Sequence, residues 1–291
     1  MGFHEDLLTV VTPSTSLHDV VTYFDGKTQS ILDRYGPGPR VHYHTGLVDN
    51  PPLPGASILD LRRRLVAAQE RILWYAANVW QASHTLTGEV LDVGCGLGGG
   101  AIFWAQQFNA LVTAVTCVPS HADLVEVFAA QAGVESRVRA LLCDALEVPG
   151  ENCFDAAVAI DSSGYLDRYE WFRRVASLLR PGGRVFIIDC FLGRSEYEKQ
   201  FNRHWHTSIG TIDQYLAAAR DAGLRNDRID DISQGTEHFW TTTLELIKAE
   251  ARENKLSEQA RLRHEASSHA HALVRQGLRD RGLLYALMSF S

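Results

Sequence analysis

Five glycines fall within seven residues in the segment EVLDVGCGLGGG, residues 89–100, directly after a short apolar run. A glycine-rich turn behind a strand lets backbone N–H groups approach a ligand, because no Cβ stands in the way. A phosphate-binding loop of the Walker type also needs Lys followed by Ser or Thr after its last glycine. Ala101 and Ile102 follow Gly100 instead, so this phosphate chemistry is excluded.

A dinucleotide site is the second chemistry that the spacing could serve, since Gly94, Gly96 and Gly99 match G-x-G-x-x-G. Such a site also needs an acid about 20 residues on, which holds a ribose hydroxyl. The next strand-like run ends at Thr116–Cys117, and no acid follows until Asp123. The glycine pattern alone is therefore weak support for dinucleotide binding.

A third chemistry agrees with more of the chain. The motif Asp92-x-Gly94-x-Gly96-x-Gly98 resembles the glycine-rich motif of the class I methyltransferases, which use S-adenosylmethionine (SAM). Asp144 ends the third strand-like run, where such enzymes contact adenine. The segments FDAAVAID and LLRPGGRVFIID resemble their fourth strand and the helix–turn–strand that follows.

The resemblance covers about residues 85–230, and it implies an active methyltransferase with SAM as cofactor. Backbone N–H groups of the glycine loop would approach the methionyl and ribose parts of SAM, and Asp92 would accept from its ammonium group, directly or through water. A generic tight turn between strand and helix is the alternative. The implied cofactor-binding residues are Tyr43, His44, Asp92, Gly94, Cys95, Gly96, Gly98, Thr116, Cys117, His121, Asp144, Ala145 and Leu146.

The segment TCVPSH, residues 116–121, narrows the resemblance. Most class I methyltransferases end the second strand with an acid that binds the ribose. A T-L-S-x-x-Q-like ending is typical of cyclopropane fatty acid synthases and of terpenoid and sterol C-methyltransferases. By that match Thr116 does part of the acid's work and His121 stands at the Gln position, whereas Cys117 and Val118 depart from the pattern.

The loop YGPGPRVHYHTGL, residues 35–47, resembles the segment that closes over sulfonium and substrate in the same groups. Tyr43 and His44 would then contact the methionyl end of SAM, and Tyr35 would line the active site. A loop packed by its own aromatic and histidine side chains is the alternative. Taken whole, the chain resembles bacterial terpenoid C-methyltransferases of the geranyl diphosphate type, and the teleocidin-pathway type that methylates a prenyl side chain and triggers cyclisation.

The resemblance implies methylation of an alkene carbon in a hydrophobic small molecule of bacterial secondary metabolism. An alkene is a poor nucleophile, so its π-face must lie in line with the methyl group in a site without water. The carbocation that results needs aromatic faces and a proton acceptor, unless the substrate quenches it by cyclising. The predicted catalytic residues are Tyr35, His44, Trp205 and Asp161, with Asp161 as proton acceptor or, alternatively, as the cap of the following turn.

Two other functions stay open. An O- or N-methyltransferase for a polar acceptor needs only a base or desolvation, and a catalytically inactive scaffold would keep the fold alone. The intact Asp92-x-Gly94 loop argues against the scaffold. A diphosphate on the acceptor would require Mg²⁺ and several basic residues, and Arg34, Arg40 and Arg203 form no cluster in the sequence.

Positioning these residues requires a sheet that brings strand ends together. From residue 88 onward, five strand–helix alternations with apolar strands predict an α/β fold, with a Rossmann-like, seven-stranded class I methyltransferase sheet. Strands are expected at 89–93, 110–118, 138–144, 154–161, 184–190, 224–232 and 283–291. Helices are expected at 99–108, 120–133, 168–179, 211–222, 239–253 and 256–276.

Helical patterns at 16–33 and 57–82, around a loop at 34–46, predict an N-terminal helical cap. The chain is therefore divided into a cap and oligomerisation segment, residues 1–85, and a SAM-binding domain, residues 86–291. The cap has more apolar surface than two helices can bury on themselves. This predicts packing over the cofactor site or against a second copy, which would give a homo-oligomer.

Bulk properties exclude several other classes of function. The net charge of −7 argues against binding to nucleic acid, and no stretch approaches the ~20 apolar residues of a membrane span. The N-terminus lacks the features of a signal peptide, which predicts a cytoplasmic protein with its five cysteines reduced and buried. No ligand set has metal-like spacing, and His264, His269 and His271 are expected on a solvated helix face, so no metal site is predicted.

Overall fold

The computed structural model describes residues 17–253 and 258–291, and a seven-stranded sheet forms its centre. The strands are β1 Glu89–Val93, β2 Leu111–Thr116, β3 Val138–Leu142, β4 Phe154–Ile160, β5 Leu179–Leu192, β6 Asn226–Asp231 and β7 Leu283–Phe290. Their order is β3-β2-β1-β4-β5-β7-β6. β7 runs antiparallel to both of its neighbours, β5 and β6, and the other strand pairs are parallel. The predicted α/β class I methyltransferase sheet is confirmed.

Helices cover both faces of this sheet, because successive residues of a buried strand point to opposite sides. The helices are α1 Leu17–Asp25, α2 Thr28–Tyr35, α3 Ile58–Val79, α4 Ala82–Thr85, α5 Gly99–Phe108, α6 Pro119–Gln131, α7 Arg168–Leu178, α8 Glu198–Trp205, α9 Ile212–Asp221, α10 Ser233–Glu253 and α11 Glu258–Asp280. Val90 packs into one core with α3 and α5, and Leu91 packs into the other with α7 and α9.

Several predicted boundaries are wrong. The helix expected at 16–33 is two helices that break at Gly26–Lys27, since glycine is a poor helix former. The strand expected at 184–190 begins at Leu179, because the RPGG segment continues the strand through a bulge. The short helix α8 was not predicted, and α10 begins at Ser233 rather than at residue 239. Residues 1–16 and 256–257 of the predicted cap and last helix lie outside the described residues.

The predicted cap comprised residues 1–85. From here on, the name cap is kept for helices α1 and α2, which lie against the beginning of α6. The Ser120 hydroxyl donates to Asp25 Oδ1 at 2.6 Å. Thr28 Oγ1 donates to the carbonyl oxygen of Phe24 at 3.1 Å and lies 3.0 Å from His121 Nε2. The cap is thereby fixed over the carboxyl edge of the sheet in the same chain.

The loop between α2 and α3 has no regular structure, as predicted, and α3 orders it. Gln69, buried in α3, donates from its amide to the carbonyl oxygens of His42 and His44, at 3.2 and 2.8 Å. Farther along, the N–H of Leu47 donates to the carbonyl oxygen of Ala68 at 3.0 Å. These bonds hold the loop extended across the sheet edge.

Two further expectations concern membranes and thiols. No helix within residues 17–253 and 258–291 is long and apolar enough to cross a membrane. All five cysteines are free thiols, and they are half-buried rather than fully buried.

Candidate active site

A cavity of about 540 Å³ lies at the carboxyl ends of β1, β2 and β4. β2 lies on one side of β1 and β4 on the other, and open α/β sheets bind ligands where the strand order reverses in this way. Residues of α1, α2, α8, α10 and α11 complete the walls. The volume falls in the range of small-molecule sites.

The glycine loop after β1 forms one wall of the cavity. Gly94 and Gly96 have positive φ, 68° and 55°. A Cβ on Gly94 would lie 2.6 Å from Ser162 Cβ, whereas a Cβ on Gly96 would have no heavy atom within 4 Å. Because Gly96 also lines the cavity, a side chain there would occupy the space open to a ligand.

Gly98 does not line the cavity, although the sequence predicted it to bind the cofactor. Its φ is 82°, and a Cβ on it would lie 2.9 Å from Val125 Cγ2 in α6. This glycine therefore permits close packing of α5 against α6. The neighbouring Gly100 lines the cavity instead.

Asp92, near the end of β1, brings a buried carboxylate to the cavity wall. Burial raises its pKa to about 7, although the backbone N–H of Ala101 bonds to it and opposes that shift. A cationic group in the cavity would favour the ionised form of Asp92 and lower its pKa again.

Polar side chains at the ends of β2 and β3 face the same cavity. Thr116 Oγ1 accepts from the N–H of Val118 at 3.2 Å, so its hydroxyl proton stays free to donate. Asp144 Oδ1 accepts from the N–H of Leu146 at 2.9 Å and caps a 3-10 turn at Ala145–Glu147. Its second oxygen has no partner among the described residues, and is free to accept from a ligand.

His44 lines the cavity from the loop between α2 and α3. Its Nδ1 lies 2.8 Å from the carbonyl oxygen of Thr45. A carbonyl only accepts, so Nδ1 carries the proton and Nε2 is the unprotonated nitrogen. Burial lowers the pKa of His44 to about 3, so the ring is neutral at physiological pH. Tyr35 and Tyr43 stand beside it, with ring centroids 6.2 Å apart.

Asp161 follows β4 with φ at 48°, a conformation that is uncommon outside glycine. Its Oδ2 accepts from the backbone N–H of Thr45 at 2.8 Å, and its Oδ1 accepts from the Tyr285 hydroxyl at 2.7 Å. Since β7 is antiparallel, its beginning reaches the edge where β4 ends. Burial, with a contribution from the nearby Asp189 carboxylate, raises the pKa of Asp161 to about 7.

Asp189, in β5, is a third buried acid on the cavity wall. It accepts from the backbone N–H groups of Ser163 and Gly164, at 3.0 and 3.3 Å, and from the Ser163 hydroxyl. That hydroxyl also lies 2.9 Å from the Tyr215 hydroxyl. Burial raises the pKa of Asp189. Its bonds order the turn that follows Asp161.

Aromatic side chains line the part of the cavity beyond Asp161. Trp205 lies at the centre of a ring cluster, 4.7 Å from Phe201, 6.0 Å from Trp240 and 6.1 Å from His271 between centroids. The aromatic lining residues on this side are Tyr165, Phe201, Trp205, Phe239, Trp240 and Tyr285. Among the described lining residues there is no Lys or Arg. The described residues also contain no group of three His, Cys, Asp or Glu that could hold a metal.

Apart from Gly98, every residue predicted to bind cofactor or to act in catalysis lines this one cavity. His271 was wrongly placed on a solvated helix face, because it too lines the cavity. Sequence reasoning also missed Asp189, Trp240 and Tyr285. Asp189 had a signal, since it is an acid near the end of the apolar run predicted as the strand after the one that Asp161 follows. Trp240 and Tyr285 come from distant elements and had none.

Comparison with known proteins agrees with this architecture. A model of the methyltransferase domain family matches residues 90–183. The 27-O-demethylrifamycin SV methyltransferase of Amycolatopsis mediterranei (strain S699) is 32% identical over 195 residues, 64% of this chain and 70% of that protein. This chain belongs to the class I, SAM-dependent methyltransferases.

A second relative and a solved structure are also similar to this methyltransferase. The geranyl diphosphate 2-C-methyltransferase of Streptomyces lasalocidi is 29% identical over 238 residues, 76% of this chain and 78% of that protein. The solved geranyl diphosphate C-methyltransferase from Streptomyces coelicolor A3(2), in complex with Mg²⁺, geranyl diphosphate and S-adenosyl-L-homocysteine, superposes with a TM-score of 0.77 at 21% identity, over 96% of this chain and 99% of that one. At 21% identity, the likeness to the Streptomyces coelicolor structure concerns the fold alone.

Proposed function

We propose that this methyltransferase transfers a methyl group to an alkene carbon of an uncharged, prenyl-bearing small molecule in bacterial secondary metabolism. The observation that carries the proposal is the aromatic compartment beyond Asp161, with no Lys or Arg among its described lining residues. Similarity to geranyl diphosphate 2-C-methyltransferases supports methylation at carbon.

The residues around the glycine loop fit SAM. The open space at Gly96 admits a ligand close to the backbone, and Asp92 and Asp144 offer carboxylate oxygens to its ammonium and adenosine ends. Thr116 offers a hydroxyl to the ribose in place of the acid usual at the end of β2. When bound, SAM supplies a methyl group made electrophilic by its positively charged sulfur.

The chain's own residues then have three tasks. Tyr35, Tyr43 and Trp205 exclude water and present aromatic faces to positive charge on the acceptor carbon. Asp161 takes a proton from the neighbouring carbon, and the electron pair of that C–H bond becomes the new double bond. A pKa of about 7 suits a proton acceptor near neutral pH. If a second double bond of the acceptor quenches the cation, a ring forms and Asp161 receives no proton.

Among the described residues, no Lys or Arg lines the cavity, which argues for an acceptor without a diphosphate. Six acids line the cavity, and those that are ionised would repel such a group: Asp92, Asp144, Asp161, Asp167, Glu170 and Asp189. The described residues also lack a metal-binding cluster, whereas the Streptomyces coelicolor enzyme was solved with Mg²⁺ and geranyl diphosphate.

Methylation of oxygen is the second candidate, favoured by the name of the Amycolatopsis relative, which is a 27-O-demethylrifamycin SV methyltransferase. That chemistry is served by a base that removes the hydroxyl proton. His44 and His271 are poor bases because burial lowers their pKa values to about 3. Asp161 could serve either reaction, so the product must decide.

Incubation with methyl-labelled SAM and a panel of neutral prenylated compounds, with geranyl diphosphate and Mg²⁺ as comparison, tests the proposal. We expect a new methyl signal on carbon by NMR, unaffected by EDTA, from a neutral acceptor. A methyl group on oxygen or nitrogen would refute alkene methylation. Activity only on geranyl diphosphate, lost in EDTA, would refute the uncharged acceptor.

A further inference from the structure

A histidine on the β7 side of the cavity has no role in the proposed reaction. His271 lies in α11, lines the cavity and packs between Trp205 and Trp240, with ring centroids 6.1 and 5.2 Å away. β7, on which α11 packs, is three strands from β1, about 14 Å across the sheet. This end of the cavity is therefore separate from the glycine loop.

The hydrogen bonds of His271 define its tautomer. Nδ1 lies 2.6 Å from the carbonyl oxygen of Ser267, one turn earlier in α11, and a carbonyl can only accept. Nδ1 therefore donates, which leaves Nε2 as an acceptor with no partner among the described residues. Burial lowers the pKa of His271 to about 3, and the positive charges of Arg34, His204 and Lys27 add to that effect.

We propose that Nε2 of His271 accepts a hydrogen bond from a hydroxyl or N–H group that the acceptor molecule carries at the end remote from its methylated carbon. A pure hydrocarbon would displace water from Nε2 and leave a buried acceptor unpaired, which is unfavourable. The indole rings of Trp205 and Trp240 pack against the apolar body beside that donor. This inference rests on the proposed function and specifies its substrate as an apolar chain with one distal donor.

Ligand binding tests the inference without requiring turnover. Farnesol and farnesyl methyl ether are the probes, because the ether keeps the same chain and oxygen and replaces the donor hydrogen with a methyl group. Protein saturated with S-adenosyl-L-homocysteine is titrated with each, and quenching of tryptophan fluorescence is followed. We expect farnesol to bind about tenfold more tightly than the ether, the size of one hydrogen bond to a buried group.

Three variants assign that preference to His271. His271→Phe, which keeps a ring of similar shape, should weaken farnesol to the level of the ether and leave both the ether and SAM affinity unchanged. His271→Gln, which keeps an acceptor, should retain part of the preference. His269→Phe, on the exposed side of the same helix, is the matched control and should behave as the native protein.

Equal affinities for alcohol and ether in the native protein, or an equal loss of both in His271→Phe, would overturn the inference. A separate assay of methyl transfer to farnesol and to the panel of neutral prenylated compounds distinguishes the two proposals. If the alcohol binds through His271 and no compound of the panel gives a C-methyl product, alkene methylation fails and the donor site stands. If a C-methyl product forms without any preference for the alcohol, the donor site fails and alkene methylation stands.

Discussion

At the residue scale, the structure and the proposed reaction give Asp161 two separable roles. Its carboxylate joins Thr45 to Tyr285, and its pKa of about 7 suits a proton acceptor. We predict that Asp161→Asn keeps SAM affinity, because the amide retains an acceptor oxygen for Thr45, and lowers kcat by ~10²–10⁴-fold, the usual range for a lost general base. Calorimetry measures the SAM affinity, and steady-state kinetics measure kcat. A much smaller loss with a cyclised product would indicate that the substrate quenches the cation.

Tyr285→Phe is the companion variant, because it removes one donor and leaves the carboxylate. The bond from Tyr285 lowers the pKa of Asp161, so its loss raises that pKa. Since Asp161 must be ionised to accept a proton, the rising limb of kcat against pH should move to higher pH. A purely structural Asp161 predicts a different result: both variants would lose melting temperature and turnover in parallel, with no displacement of the pH profile.

Gly96 is predicted to be essential for SAM binding. Gly96→Val should abolish it, because the side chain would enter the open cavity. Gly133 is a matched control: it has φ at 68° and also no heavy atom within 4 Å of a built Cβ, but it lies after α6, away from the cavity lining. Gly133→Val suffers the same backbone strain and should bind SAM normally, as calorimetry can establish. Normal affinity in folded Gly96→Val would remove the loop from the SAM site.

At the scale of elements, we expect the contact between the cap and α6 to determine how well the cavity is closed. Ser120 and His121 lie in the first turn of α6. They bond to Asp25 and Thr28 of the cap region. Loss of both bonds in Thr28→Val/Ser120→Ala should speed dissociation of S-adenosyl-L-homocysteine by roughly tenfold, because each bond contributes about 0.5–1.5 kcal/mol. Stopped-flow displacement measures the rate, and hydrogen exchange over residues 17–35 should rise.

The control for this pair is Thr85→Val. Among the residues that the structure describes, the Thr85 hydroxyl bonds only to the carbonyl oxygens of Trp80 and Gln81, and it is outside the cavity lining. It should leave the dissociation rate unchanged. Faster exchange in the cap together with native dissociation kinetics would show that the cap does not retain the ligand.

Elements with strong periodic or motif signals were predictable, and boundaries set by tertiary contacts were not. The run EVLDV ahead of the glycine loop allowed β1 and α5 to be predicted within a residue, because apolar content and glycine spacing are local properties. The continuation of β5 through RPGG depends on pairing with β4, which no local pattern encodes. For the same reason the glycine loop and Asp161 could be predicted, whereas Trp240, His271 and Tyr285 could not.

At the scale of the whole molecule, the position of the cap bears on the prediction that the N-terminal helices pack over the cofactor site or against a second copy. The apolar faces of α1 and α2 cover the cavity of their own chain through Val20, Phe24 and Ile31, which was one of the two arrangements expected. The homo-oligomer stays a prediction, as does the division at residues 85 and 86. Light scattering at micromolar concentration measures the mass of the particle in solution. A fully active monomer would contradict the predicted homo-oligomer.

Buried ionisable groups also link the stability of the whole molecule to pH. Asp92 and Asp161 have pKa values raised to about 7, so between pH 4 and 7 the folded state holds protons that the unfolded chain has released. Their contribution to stability falls as pH rises. Burial lowers the pKa values of four histidines to about 3 to 4, and their contribution falls as pH decreases below 6.5: His44, His121, His204 and His271. The two slopes have opposite signs, and the four histidines outweigh the two acids.

We therefore predict that the free energy of unfolding without SAM decreases as pH falls from 6.5 to 5. Asp161→Asn removes a group that binds a proton only when folded, so this variant should lose more stability on acidification than the native protein, by up to about 1.4 kcal/mol per pH unit. His271→Phe removes a group that binds a proton only when unfolded, so it should lose less stability on acidification than the native protein. Urea unfolding at several pH values in this window measures both slopes. If both variants departed from the native slope in the same direction, one of the two side chains would be ionised in the folded protein, contrary to its buried position.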